Sequence, residues 1–319
     1  MAKRLDNLSW KPMWVSHLGC IKGCLDFLDI EVSDAWLYGG TGHAFIINLH
    51  EEVCPSGPTA WHTEMLFKLG RNVGYEVDGV FARKNMLTFP ETQQKAWEHA
   101  RKSIDAGVPC YGWELDIPEY YVVNGYDEIG CHYVGPCQES AKKPKPWQEL
   151  GATDIGVVEM YSVKPVRPAD DAVVVKQAFE FALEHAQSPE KWIFPKYKAG
   201  LAGYDNWIGA LQANKAHSHG MAFNIQVWCE CRSLGVAFLK EAKDRLDKKL
   251  GLVFDEAIAH YDIVARNLKR VEELFPFHTR KPEHIANEKR RHNAAQHLRV
   301  ARTAEAAGLE VLKRIATVL

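Results

Sequence analysis

Along this chain apolar residues recur either every third or fourth position or at alternate positions, and the changes of period mark out the elements. Cys20, Ile21, Cys24, Leu25, Phe27 and Leu28 predict a first helix over 17–29. The glycines of GGTG, 39–42, predict a sharp break, and HAFIINLH, 43–50, reads as a strand. CPSGPTAW, 54–61, is a rigid Pro-Gly loop, followed by a helix in HTEMLFKLGRN and a strand in GYEVDGVFAR. Thr88 as cap, Glu91 three residues on, Trp97, Ala100 and Ile104 on one face, and Gly107 as stop predict a complete helix. VPCYGWELD, YYVVNGYD and CHYVGP follow as strands joined by short turns. Beyond an extended KKPKPW, DIGVVEMYSVKP supplies one more strand.

From Asp170 onward the period is helical almost throughout. Ile258, Tyr261, Val264, Leu268, Val271 and Leu274 make the stripe of one helix. The last helix, over 283–318, carries Lys289, Arg290, Arg291, Arg299 and Arg302 as a solvated face. The expected fold is therefore α+β: a domain with an antiparallel sheet over 1–168, then an α-helical bundle domain over 169–319.

Composition narrows the class. With 319 residues, 46% hydrophobic and 25% charged, the chain is of ordinary globular make-up. A formal net charge of -2 supplies no field that would draw it to nucleic acid or an acidic membrane. No apolar run approaches the ~18 residues of a membrane span, and MAKRLDNLSWKPMW lacks the apolar core of a signal peptide. Eight scattered cysteines then point to a reduced, cytoplasmic protein. Cys131-His132 with Cys137, and Cys229 with Cys231, lack the spacing of a zinc module, so neither metal nor cofactor is expected.

The chemistry centres on Cys20. A thiol at a helix N-terminus is biased toward thiolate by the unpaired amides and the helix dipole. Cys20, Cys24-Leu25, Tyr38-Gly39, Gly107-Val108-Pro109 and, after its strand, Gly125-Tyr126-Asp127 fall in an order that resembles the N-terminal domain of the butirosin biosynthesis protein H family. That family is a branch of the papain-like superfamily, and the resemblance runs over residues 17 to about 165. It implies a papain-like fold, with Cys20 as nucleophile of an amide hydrolase or acyltransferase acting on a small molecule or peptide-like substrate.

Three departures bear on that mechanism. Glu119 stands eight residues before Asp127, where the family's histidine-led strand begins. Trp14 and Val15 occupy the spacing of the oxyanion-hole glutamine of related peptidases, and Gly19 stands where a histidine often precedes the cysteine, with His17 nearby. The constellation expected is Cys20, with His43 or Glu119 as base and Asp127 as orienter. Because the family's histidine is missing, a non-catalytic small-molecule-binding descendant is the alternative, and a metal-dependent helical bundle is a third. Glu114 and Asp116 add two acids near Glu119 and Asp127, forming either a pocket for a cationic group or a solvated hairpin. Tyr204, Asp205, Trp207 and His219 are candidates for a second, substrate-binding wall, with helix capping as their other use. The oligomeric state stays open, a homodimer being one option.

Overall fold

The computed structural model describes residues 2–137 and 143–319, so Lys142 at the head of KKPKPW lies outside the described residues. In chain order the elements are β1 (Lys3–Arg4), α1 (Ser16–Phe27), α2 (Asp34–Gly40), β2 (Asn48–His50), α3 (Glu64–Val73), β3 (Tyr75–Arg83), α4 (Phe89–Asp105), β4 (Cys110–Trp113), β5 (Tyr120–Tyr126), β6 (Gly130–Val134), β7 (Lys145–Pro146) and β8 (Val157–Pro165). There follow α5 (Asp171–Gln187), β9 (Tyr197–Ala199), α6 (Gly200–Gln212), α7 (Ser218–Arg245), α8 (Gly251–Leu274), α9 (Pro282–Ala286) and α10 (Glu288–Val318). The fold is mixed α+β, with an antiparallel sheet and a helical C-terminal region. It forms two compact units, one of residues 1–33 and 74–168, the other of 34–73 and 169–319.

In the first unit the strands run in the order β3-β8-β4-β5-β6-β7, every pairing antiparallel, and β1 adds to β5. Side chains alternate across this sheet. Cys110, Tyr121, Val123, Val158 and Met160 pack with Ala96, Trp97, Ala100 and Ile104 of α4 in one apolar core. The helix α1 packs against β5, β4 and β8. Its residues 16–25 are all buried, because residues 9–11 cover it on a further side. A Cβ at Gly19 would stand 2.5 Å from the Lys11 carbonyl oxygen, and one at Gly23 would overlap that of Ser9. The helix thus needs glycine on one face as well as apolar residues on another.

In the second unit α8 packs between α7 and α10, α10 also meets α5 and α6, and α2 lies on α7. A small two-stranded sheet pairs Asn48 with Ala199 and His50 with Tyr197. Residues 34–73 belong here because α2 and β2 find their partners in α7 and β9.

Three local expectations are corrected. His43–His50 is not one strand: residues 43–45 form a single 3-10 turn after Gly42 (φ 73°), and within 43–50 strand pairing is confined to Asn48–His50. The guanidinium of Arg232 donates to the carbonyls of Ala44, Phe45 and Ile46, which ties this turn to α7. Gly39 and Gly40 still lie in α2, so the expected break falls at Thr41 and the left-handed Gly42; a Cβ at Gly39 would overlap the Phe238 ring, so close packing explains that glycine. The last helical stretch is interrupted at Asn287, whose side chain accepts from the Arg290 amide at 3.0 Å and caps α10. Among the described residues no helix is long and apolar enough to cross a membrane.

Candidate functional site

Ser16, not Cys20, opens α1. The N-cap Val15 supplies no side-chain cap, so the first polar side chain of the helix is the Ser16 hydroxyl. That hydroxyl donates to the Glu119 carboxylate and accepts the Tyr120 amide at 3.0 Å, joining the head of α1 to the start of β5. Burial pushes the Glu119 carboxyl up to about 7, with the Ser16 hydrogen bond opposing the rise. Beside it the His17 ring stacks on Tyr120 with centroids 3.9 Å apart, and its Nε2 is 2.9 Å from the Tyr111 hydroxyl in a hydrogen bond. Burial lowers the pKa of this imidazole to about 3, so it is neutral near pH 7. The Tyr120 hydroxyl in turn donates to Glu159 at 2.5 Å. Burial raises that carboxyl to about 7 as well, against the Tyr120 hydrogen bond and the charge of Arg83.

Cys20 lies one turn further along α1, at 0% exposure. Burial, reinforced by Cys24 and Glu119, pushes its thiol well above the ordinary value. The expected thiolate bias fails for two reasons: the helix-end effect fades beyond the first turn, and desolvation favours the neutral form. His43 belongs to the other unit, where it is buried against Trp61 (5.6 Å between centroids), Tyr38 (6.1 Å) and Trp228 (6.5 Å).

Asp127 closes the turn after β5. Its Oδ1 accepts from the Ile129 and Gly130 amides at 2.8 and 3.1 Å, and its Oδ2 lies 3.0 Å from His132 Nε2. Despite desolvation, these hydrogen bonds and the His132 charge hold the carboxyl below its ordinary value. Glu119 flanks the opposite end of β5, roughly 25 Å away at ~3.3 Å per residue of extended chain. Asp127 therefore orients His132 and cannot orient a base at Glu119.

The remaining candidates have local partners in their own units. Glu114, buried at φ 56°, accepts from Thr153 Oγ1 at 2.6 Å, and burial raises its carboxyl; Asp116 is half-buried nearby in sequence. On α6 the fully buried Tyr204 donates to Glu305 at 3.1 Å, the exposed Asp205 takes a bidentate contact from Arg302 at 2.7 and 2.9 Å, and Trp207 Nε1 donates to Met221 Sδ at 2.9 Å. His219, on the first turn of α7, is half-buried 5.5 Å from the Phe277 ring; burial, then Arg280 and His217, keep its pKa low. Tyr204, Asp205 and Trp207 thus serve contacts between helices.

The residues that do converge include several the sequence reading passed over: Ser16, Tyr111, Tyr120 and Glu159. Their signal was present, since Ser16-His17 precede the first apolar residue of α1 and strand alternation puts Tyr111, Tyr120 and Glu159 on one sheet face. Among the described residues no group of three or more His, Cys, Asp or Glu is placed to hold a metal ion. No protein-family model matches the chain, and neither does any curated protein.

Proposed function

We propose that the first unit is a papain-like scaffold that binds a small molecule without thiol chemistry. The observation that carries this reading is the Ser16–Glu119 hydrogen bond at the head of α1, with the only thiols of that helix, Cys20 and Cys24, sealed in the core. Nucleophile and base of a thiol enzyme would face one another at that place, and a hydroxyl and a carboxyl face one another instead. Support for the scaffold comes from the order of a helix before antiparallel strands, and from Glu119 standing where the resemblance puts the imidazole. Alkylation of the native protein with iodoacetamide, read by peptide mass, is the test. Cys20 should stay unlabelled natively and be labelled fully in denaturant. Native labelling of Cys20 would restore the amide hydrolase or acyltransferase reading.

One observation favours a second reading. A carboxyl with its pKa near 7 can take a proton from the hydroxyl bonded to it, which would make Ser16 the nucleophile of an acyl transfer and Glu119 its base. At 3% exposure Ser16 is poorly placed for attack. A fluorophosphonate adduct on Ser16, lost in Glu119→Gln, would favour this second reading over the first.

A further inference from the structure

The first unit holds a cavity of about 420 Å3 beside the C-terminal half of α1. That volume falls within the ~300–1,000 Å3 of small-molecule sites. Its apolar walls are Trp10 and the half-buried Phe27, and Ser9 supplies a hydroxyl. The charges on its rim are of both signs. Asp26 is neutralised by Lys22 one turn earlier on the helix. Asp6, Asp29 and Lys11 also line the cavity, yet none of the three forms an ion pair among the described residues. All three side chains are exposed, and with Lys11 in no ion pair with either acid the rim presents separate positive and negative groups. A single anion or cation would satisfy half of that arrangement, while a zwitterion satisfies both halves.

We propose that this cavity binds a free amino acid with an apolar side chain. The ammonium meets Asp6 and Asp29, the carboxylate meets Lys11 and the Ser9 hydroxyl, and the side chain lies between Trp10 and Phe27. Free amino acids carry both charges within a few ångströms of each other, together with an apolar group to fill the rest of the space. This inference rests on the first unit being a binding unit, and it names the class of ligand.

Isothermal titration of the full chain with L-phenylalanine and L-leucine tests it, with N-acetyl-phenylalanine and phenethylamine as probes lacking one charge each. At least one of the two amino acids should bind, and each single-charge probe should bind tenfold or more weakly than L-phenylalanine. Lys11→Met should weaken the amino acids but not phenethylamine; Asp29→Asn should weaken the amino acids but not the N-acetyl compound. Both side chains are exposed, so both variants should keep the wild-type melting temperature. No heat from either amino acid at 10 mM ligand, or equal binding of the single-charge probes, overturns the proposal. Iodoacetamide labelling of the same samples separates the two failures. An inert Cys20 with no amino-acid binding sinks this inference alone, whereas a native Cys20 adduct sinks the reading beneath it.

Discussion

In the first unit, the groups withdrawn from water near α1 are two carboxyls whose pKa lies at about 7, a neutral imidazole and several phenols, which pair with one another. In the second unit the corresponding investment is an ion pair, Arg232 with Glu305, at 0% and 1% side-chain exposure. Arg232 Nε and Nη2 reach both Glu305 oxygens at 2.9 and 2.8 Å, and the remaining donors take three carbonyls of the 44–46 turn. Burial opposes the charge on Arg232, yet Glu305 holds the guanidinium above its ordinary pKa. A buried charge persists only where its donors are met, and a bidentate Arg–carboxylate pair with backbone acceptors meets them. Carboxyls with one hydroxyl partner each take the cheaper course of keeping a proton. The second unit is thus built for a permanent charge. The polar layer of the first is poised to change its charge near neutrality.

Breaking the ion pair should have the largest effect. Arg232→Leu strands Glu305 without its countercharge and frees the 44–46 carbonyls, at a cost of about 3–5 kcal/mol. Urea unfolding measures the total, and native-state labelling of buried thiols says where it falls. Cys231 in the second unit should label faster, while Cys20 and Cys110 in the first should not change. If both sets speed up together, the two units do not open independently and the comparison fails.

Next in size is Ser16→Ala, which takes from Glu119 its hydrogen bond and from the Tyr120 amide its acceptor. The expected loss is about 1–3 kcal/mol, the range for leaving buried partners unmet. It should be smaller at pH 5.5, where Glu119 is protonated, than at pH 8.5. An equal loss at both pH values would mean that the Ser16 bond does not depend on the charge of Glu119.

The main helices and strands of the first unit could be read from the sequence because their composition and punctuation are ordinary. Tyr120–Tyr126 and Val157–Pro165 are short runs rich in Tyr and Val, buried on both faces of the sheet, and Phe89–Asp105 opens near Thr88 and stops before Gly107. The misreadings share a cause, which is that distant contacts decided the local structure. Arg232, almost two hundred residues on, donates to the carbonyls of 44–46 and holds them in a turn. Phe238 packs on Gly39, so a glycine that looked like a turn signal is a contact point in a helix. The placing of Cys20 turned on a shift of one helical turn. Period fixes the face on which a residue lies but leaves the first residue of the helix uncertain, and four residues separate an end position from a sealed one.

A change of pH should move the two units in opposite directions. Glu119 and Glu159 keep their protons to about 7 when folded but only to 4.5 when unfolded, so the stability they add below pH 4.5 is lost as pH rises through 7. His17 acts against them: its folded pKa of about 3 lies below 6.5, so it costs stability as pH falls below 6.5. His99, also lowered by burial, acts with His17, and burial raises Glu114 as well, so between pH 6.5 and 4.5 three raised carboxyls stand against two lowered imidazoles among the described residues of this unit. In the second unit His185, lowered to about 3 by burial and then by Arg232, has no raised carboxyl to offset it. Acidification from pH 6.5 to 5 should cost the second unit about 2 kcal/mol, at ~1.4 kcal/mol per pH unit for one proton. The thiolate-corrected labelling rate of Cys231 should therefore rise over that range while that of Cys110 falls or holds. A parallel rise in both rates would refute the contrast.

The smallest effect near neutrality, and the sharpest on the contrast, belongs to His185→Phe. The His185 ring is fully buried, neither ring nitrogen has a hydrogen-bond partner among the described residues, and it meets Trp61 edge-on at 5.6 Å and Phe181 at 5.9 Å. Phenylalanine offers a similar ring to the same neighbours and leaves no nitrogen without a partner. At pH 7.5 the melting temperature should therefore move little, by less than about 1.5 kcal/mol of stability in either direction. At pH 5 the variant should be the more stable protein, because its unfolded chain no longer gains a proton that the folded chain refuses. The acid-induced rise in Cys231 labelling should flatten, while Cys110 keeps its wild-type profile. If the second unit of the variant still loosens between pH 6.5 and 5, its acid sensitivity has another source, and His185 is only a ring in the core.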